Sequence, residues 1–119
     1  MAAKPLAPRL RRLPSTTVLG REVPVATGLR ARLLGLARLD RVEAGAGLLI
    51  PRCSSVHTFG MRFPLDLVFL DRRGAPLSLR RRVPPRRVAA HRGATAVVEL
   101  PARLLFSSEG CGAMVRRPG

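Results

Sequence analysis

Residues 64–70 read PLDLVFL, and how this stretch is laid down decides the fold. A β-strand turns successive side chains to opposite faces. As a strand, the segment sends Leu65, Leu67 and Phe69 to one side and Asp66, Val68 and Leu70 to the other. Asp66 is the one polar residue on either side, so both faces want cover and the strand belongs inside a sheet. The carboxyl of Asp66 is then at least half buried. It needs a hydrogen bond or a counter-charge, or else it keeps its proton. Arg62, four residues upstream across the bend at Pro64, is the nearest candidate partner. Asp66 reads either as an anchor fixing that bend or as a ligand-orienting or acid–base group.

Working outward, Asp71-Arg72-Arg73-Gly74 makes a hairpin turn into APLSLR, and Val83-Pro84-Pro85 ends the returning strand. ATAVVEL (94–100) is a further strand, residues 101–108 suit a helical turn, and GAMV (112–115) suits a closing strand. Upstream, GLLI (47–50) is stopped by Pro51, and SVHTFGM (55–61) follows it. TTVL (16–19) and EVPVA (22–26) flank Gly20-Arg21, with Pro24 confining the second run to an edge. Between these strands, Thr27 stands at an N-cap position before a helix over 28–39. Leu29, Leu33 and Leu36 fall on one helical stripe, and burying each contributes roughly 1.5–3 kcal/mol. Residues 40–43 are a polar break. Short strands with turn signals between them predict a mainly β domain, a small antiparallel sandwich or jelly-roll-like barrel, with one or two short helices.

The chain has 119 residues and a formal net charge of +15. That length suits one domain with a core of its own. Residues 1–14 read as a flexible basic arm and 15–119 as the domain, because prolines and charges leave the arm little to bury. The charge suggests a nucleic acid or membrane surface as partner. Yet of 22 basic residues only Lys4 is lysine, and Ala, Gly, Pro, Leu and Val are abundant beside arginine. That usage is what a GC-rich, bacterial genome imposes on any protein, so the charge says less about partners than its size suggests. There is no Trp or Tyr and only four Phe, a poor supply of stacking platforms for single-stranded nucleic acid. Pro5, Pro8 and Pro14 interrupt any apolar segment of the kind a secretory signal needs. Cys53 and Cys111 are too few for a disulfide framework, and a reduced, cytoplasmic setting is the simplest expectation.

The polar residues of 53–71 are the candidate site. Cys-x3-His would face one metal on a helix, but four strand residues span about 13 Å, too far for two ligands of one ion. The same distance separates Cys53 from His57 as nucleophile and base unless the chain bends near Pro51 or Ser54-Ser55. If 55–61 is a regular strand, Ser55, His57, Phe59 and Met61 share a face suited to the rim of a small-molecule cleft or to an ordinary half-exposed sheet. Cys53, His57, Met61, Arg62 and Asp66 are therefore the expected ligand contacts, with no metal or cofactor. The cationic run LRRRVPPRRV (79–88) reads as a solvated edge or as a ribbon along phosphate. The expected function is a noncatalytic binding or accessory module for a small ligand or an acidic protein. The alternatives are an enzyme using Cys53, His57 and Asp66, and an electrostatic nucleic-acid binder.

Gly35-Leu36, GLLIPRCSSVHTFGMRFPLDLVFLD (47–71) and VVELPA (97–102), in that order, resemble the domain of unknown function 192 family over about residues 16–115. The resemblance implies a small mainly β domain of jelly-roll type with one or two short helices, and brings no established reaction, cofactor or partner. Many members carry Trp-Met-Lys-Asn where this chain has Gly60, Met61 and Arg62, and a methionine where it has Ala37. Many also carry an export signal, which is not expected here.

Overall fold

The computed structural model describes residues 6–102. In chain order its elements are α1 (Pro8–Arg11), β1 (Ser15–Val18), β2 (Arg21–Pro24), α2 (Leu29–Leu34), α3 (Arg41–Ala44), β3 (Leu48–Pro51), β4 (Ser55–His57), β5 (Leu65–Leu70), β6 (Pro76–Val83), β7 (Val88–Ala90) and β8 (Ala96–Pro101). Four strands form an antiparallel sheet in the order β3-β8-β5-β6. β1 with β2 and β4 with β7 are two-stranded antiparallel ribbons. The fold is mainly β and antiparallel, as the residue pattern predicts. The sheet stays open rather than closing into a barrel, and three short helices stand among the described residues where one or two are expected.

β5 lies inside the sheet, as its two apolar faces require. Leu65, Leu67 and Phe69 are fully buried in the larger core, with Leu36, Leu48, Ile50 and Val97. Val68 and Leu70 pack on the other side with Val98, against Val18, Leu49 and Leu79. The hairpin from β5 to β6 turns on Asp71, whose Oδ1 accepts the amides of Arg73 (2.8 Å) and Ala75 (2.9 Å). These backbone donors hold its carboxyl below the ordinary aspartate range.

Helix α2 departs from the expected stripe. It ends at Leu34, because Gly35 adopts φ +53° and a Cβ there would lie 2.6 Å from Oε1 of Glu99. Leu36 leaves the helical phase and enters the core at 0% exposure, while Leu29 and Leu33 stay outside at 71% and 60%. The N-cap is Gly28, not Thr27. The expected polar break at 40–43 instead starts α3 with a capping box: Oδ1 of Asp40 accepts the Glu43 amide, and Oε1 of Glu43 accepts the Asp40 amide.

The described part of the expected basic arm is docked on the domain. Ala7 and Leu10 are buried, and the Ala7 amide donates to the Glu43 carbonyl. Arg9 Nη2 donates to the carbonyls of Gly35 (2.9 Å) and Ala37 (2.7 Å). Ala7 and Leu10, helped by Leu6 and Leu13, and one arginine nitrogen seat a segment whose composition reads as unstructured. The expected helical turn over 101–108 begins as the last residue of β8, and the rest of it, with 112–115, lies outside the described residues.

The 55–61 strand is also shorter than expected. β4 stops at His57 because the next residue, buried Thr58, turns its hydrogen bonds to the loop before β7. Thr58 Oγ1 donates to the Pro84 carbonyl (2.7 Å) and accepts the Arg87 amide (2.8 Å). Arg80 crosses from β6 to the ribbon, with its guanidinium 5.9 Å from the Phe69 ring centre and Nη2 donating to the Ala90 carbonyl at 3.2 Å.

Candidate functional site

The short α2, the truncated β4 and the strand β7 leave a cleft of about 440 Å³ between them. Leu29 and Leu33 from α2 and Val88 from β7 (69% exposed) stand at its mouth. Ile50 of β3 and Glu99 of β8 lie deepest. The same chain break at Gly35 that takes Leu36 into the core thus exposes two leucines beside a cavity.

Glu99 carries the electrostatics of the cleft. It sits across from Leu48 on β3 and Leu67 on β5, on the face of the sheet that builds the larger core. Its side chain is 2% exposed. Oε1 accepts the Leu36 amide at 3.2 Å, and Oε2 has no partner among the described residues. Burial raises its pKa from 4.5 to about 7, with the Leu36 amide pulling only partly the other way. At neutral pH this carboxyl is therefore divided between its neutral and charged forms.

Cys53, Ser55 and His57 line one wall. The half-buried thiol of Cys53 donates to the Ser55 carbonyl at 3.0 Å. Exposed His57 accepts the Phe59 amide on Nδ1 at 3.2 Å, which leaves the proton of its neutral ring on Nε2. Cys53 and His57 share the cleft but are not hydrogen-bonded to each other. Arg32 stands opposite on α2, with Nη2 donating to the Arg52 carbonyl at 2.7 Å. Its Nε is buried and has no partner among the described residues. No three His, Cys, Asp or Glu side chains among the described residues are grouped to hold a metal ion.

The other expected site residues lie elsewhere. Met61 is 8% exposed within the larger core, and Arg62 is exposed, with no hydrogen bond to Asp66. Half-buried Asp66 accepts the backbone amide of Arg82 at 2.9 Å, across the register shift between Leu65 and Leu67. Its carboxylate fills the gap left in the β5–β6 ladder by that irregularity. The sequence reading brings Cys53 and His57 to the cleft and misses Glu99, Arg32 and the two leucines. The signal for Glu99 is present in AVVELP: alternation puts it on the buried side with Val97.

No curated protein matches the chain. Two solved structures are similar in fold. One is a protein of unknown function from Novosphingobium aromaticivorans DSM 12444, at 18% identity and a TM-score of 0.57, with 75% of this chain and 66% of that one covered. The other is a putative transcription regulator from Sinorhizobium meliloti 1021, at 20% identity and a TM-score of 0.62, with 82% of each chain covered. The family model of DUF192, described as an uncharacterized ACR, matches residues 13–108. That span takes in the β1–β2 ribbon, the open sheet and every residue of the cleft, so the chain belongs to the domain of unknown function 192 family.

Proposed function

We propose that this domain is a noncatalytic binding module that holds a small ligand in the cleft above Glu99, with Cys53 and His57 among the contacts. The observation that carries this reading is a carboxyl buried at the foot of a cavity with one oxygen unused. Burying such a group lowers stability unless something else gains from it, and perturbed acids in clefts concentrate at functional sites. A cavity of about 440 Å³ is within the span of small-molecule sites, about 300–1,000 Å³.

The enzyme reading has less support. It needs Cys53, His57 and Asp66 to converge. The thiol is spent on a carbonyl, the imidazole on an amide, and the aspartate on the Arg82 amide. The free thiol of Cys53 fits action in a reducing compartment such as the cytoplasm. No helix of the described residues is long and apolar enough to cross a membrane.

The test is a fragment screen read by amide chemical shifts on the full chain, run beside a panel of ester, peptide and acyl-transfer substrates. Ligands are expected to shift α2, β4 and β7 together, with no turnover of the panel. Turnover that Cys53→Ala or His57→Ala abolishes would overturn the proposal.

A further inference from the structure

Resting on that reading of the cleft, we infer that its ligand is a small amphiphilic carboxylate, with its anionic group between Arg32 and Glu99 and its apolar body over Leu29, Leu33 and Val88.

The polar atoms that line the cleft without a partner are mostly hydrogen-bond donors. Arg32 Nε is buried in the wall with no acceptor among the described residues, and a buried donor without a partner marks a place where an acceptor belongs. His57, with Nδ1 occupied by the Phe59 amide, offers Nε2–H. The Cys53 thiol is already committed to the Ser55 carbonyl. Glu99 keeps one oxygen on the Leu36 amide; in its neutral form the other oxygen is a third donor.

Charge points the same way. The ionisable groups facing Glu99 across the cleft are Arg32 from α2, His57 from β4 and Cys53 from the preceding loop, and none of them is a second carboxylate. A cationic ligand would meet the Arg32 guanidinium, whereas a carboxylate pairs with it and shares the Glu99 proton. One proton between two carboxyl groups is the arrangement that close carboxyl pairs adopt. That Glu99 already holds its proton up to about pH 7 makes it available for this role. The exposed leucines and Val88 then supply the cover for an apolar body. Lengthening that body is expected to tighten binding about fourfold per buried methylene.

The experiment uses the full chain and three eight-carbon probes: octanoate, octylammonium and octanol. Each is titrated by calorimetry and mapped by amide shifts at pH 6, 7 and 8. Octanoate is expected to bind tightest, with shifts on α2, β4 and β7, and to weaken about tenfold from pH 6 to pH 8 as Glu99 ionises. Glu99→Gln should bind and lose that pH dependence. Arg32→Gln should weaken binding at least tenfold while its unbound spectrum stays folded. The fall must persist in His57→Gln, which removes the imidazole from the cleft wall.

Octylammonium binding more tightly, or octanoate tightening with rising pH, would overturn the carboxylate assignment and leave the cleft as a binding site. So would octanoate binding that ignores both Arg32→Gln and Glu99→Gln. If no probe shifts the cleft, the binding-module reading fails with it.

Discussion

Glu99 is unusual among the described residues in working against the fold that holds it. Its folded pKa of about 7 lies above the ordinary value of 4.5, so the native state binds the extra proton between those limits. Where the native state holds more protons than the unfolded chain, stability falls as pH rises. The contribution is full below pH 4.5 and lost by pH 7, an interval worth on the order of 3 kcal/mol. Glu99→Gln keeps an acceptor for the Leu36 amide and removes the charge. Thermal unfolding should find it close to the parent protein at pH 4.5 and more stable at pH 8. An unchanged pH slope would mean that the carboxyl is hydrated. At this scale the sequence draws attention where side-chain chemistry is rare, to Cys53 and His57, and both line the cleft. The sequence is opaque at Glu99, which reads as an ordinary acid in a strand until its face is known. Asp66 is the reverse case. It is half buried as expected, but a backbone amide satisfies it, and no sequence pattern announces a register shift.

Among the elements, β5 and β8 follow their pattern, whereas β4 stops short, β7 is not expected and the principal helix loses its phase. Period-two alternation fixed β5 and β8, because a single face change would expose a whole row of Val, Leu and Phe. The Leu29-Leu33-Leu36 stripe assumes unbroken helical phase, and Gly35 breaks it. The capping box of α3 was written as Asp-x-x-Glu, but a single helical turn carries no apolar periodicity to draw attention to it. The role assigned to Gly35 is testable. Gly35→Ala must place a Cβ against Oε1 of Glu99 while holding a positive φ, and should cost about 1–3 kcal/mol in denaturant unfolding. Leu29→Ser with Leu33→Ser should change stability by no more than about 0.5 kcal/mol each, since neither side chain is packed away. If the double variant unfolds instead, the two leucines belong to the core after all. Gly60 and Ala37, where the family resemblance carries Trp and Met, meet each other: a Cβ on Gly60 would lie 3.3 Å from that of Ala37. The two small residues are one packing solution rather than separate departures.

For the molecule as a whole, the spacing of short strands indicates the class and conceals the order of the sheet. Arg81, Arg82, Arg86 and Arg87 are exposed along β6 and the loop beyond it, on the open border of the sheet. The order β3-β8-β5-β6 has a further consequence, for the timing of folding. The strand made last of these four lies in the middle, so β3 and β5 have no shared border until residues 96–101 exist. A chain growing on the ribosome holds β3 without its partner in the sheet until residues 96–101 emerge, whereas β1–β2 and β5–β6 are local pairs and α1 docks on residues 35–43. Nonlocal pairing of this kind slows folding. A fragment ending at residue 95 should show no cooperative melting, and mixing it with a peptide of residues 96–102 should restore a transition. The main sheet therefore closes only once β8 is made, and until then β3 and one border of β5 lack their cover, the state in which nascent chains are open to aggregation.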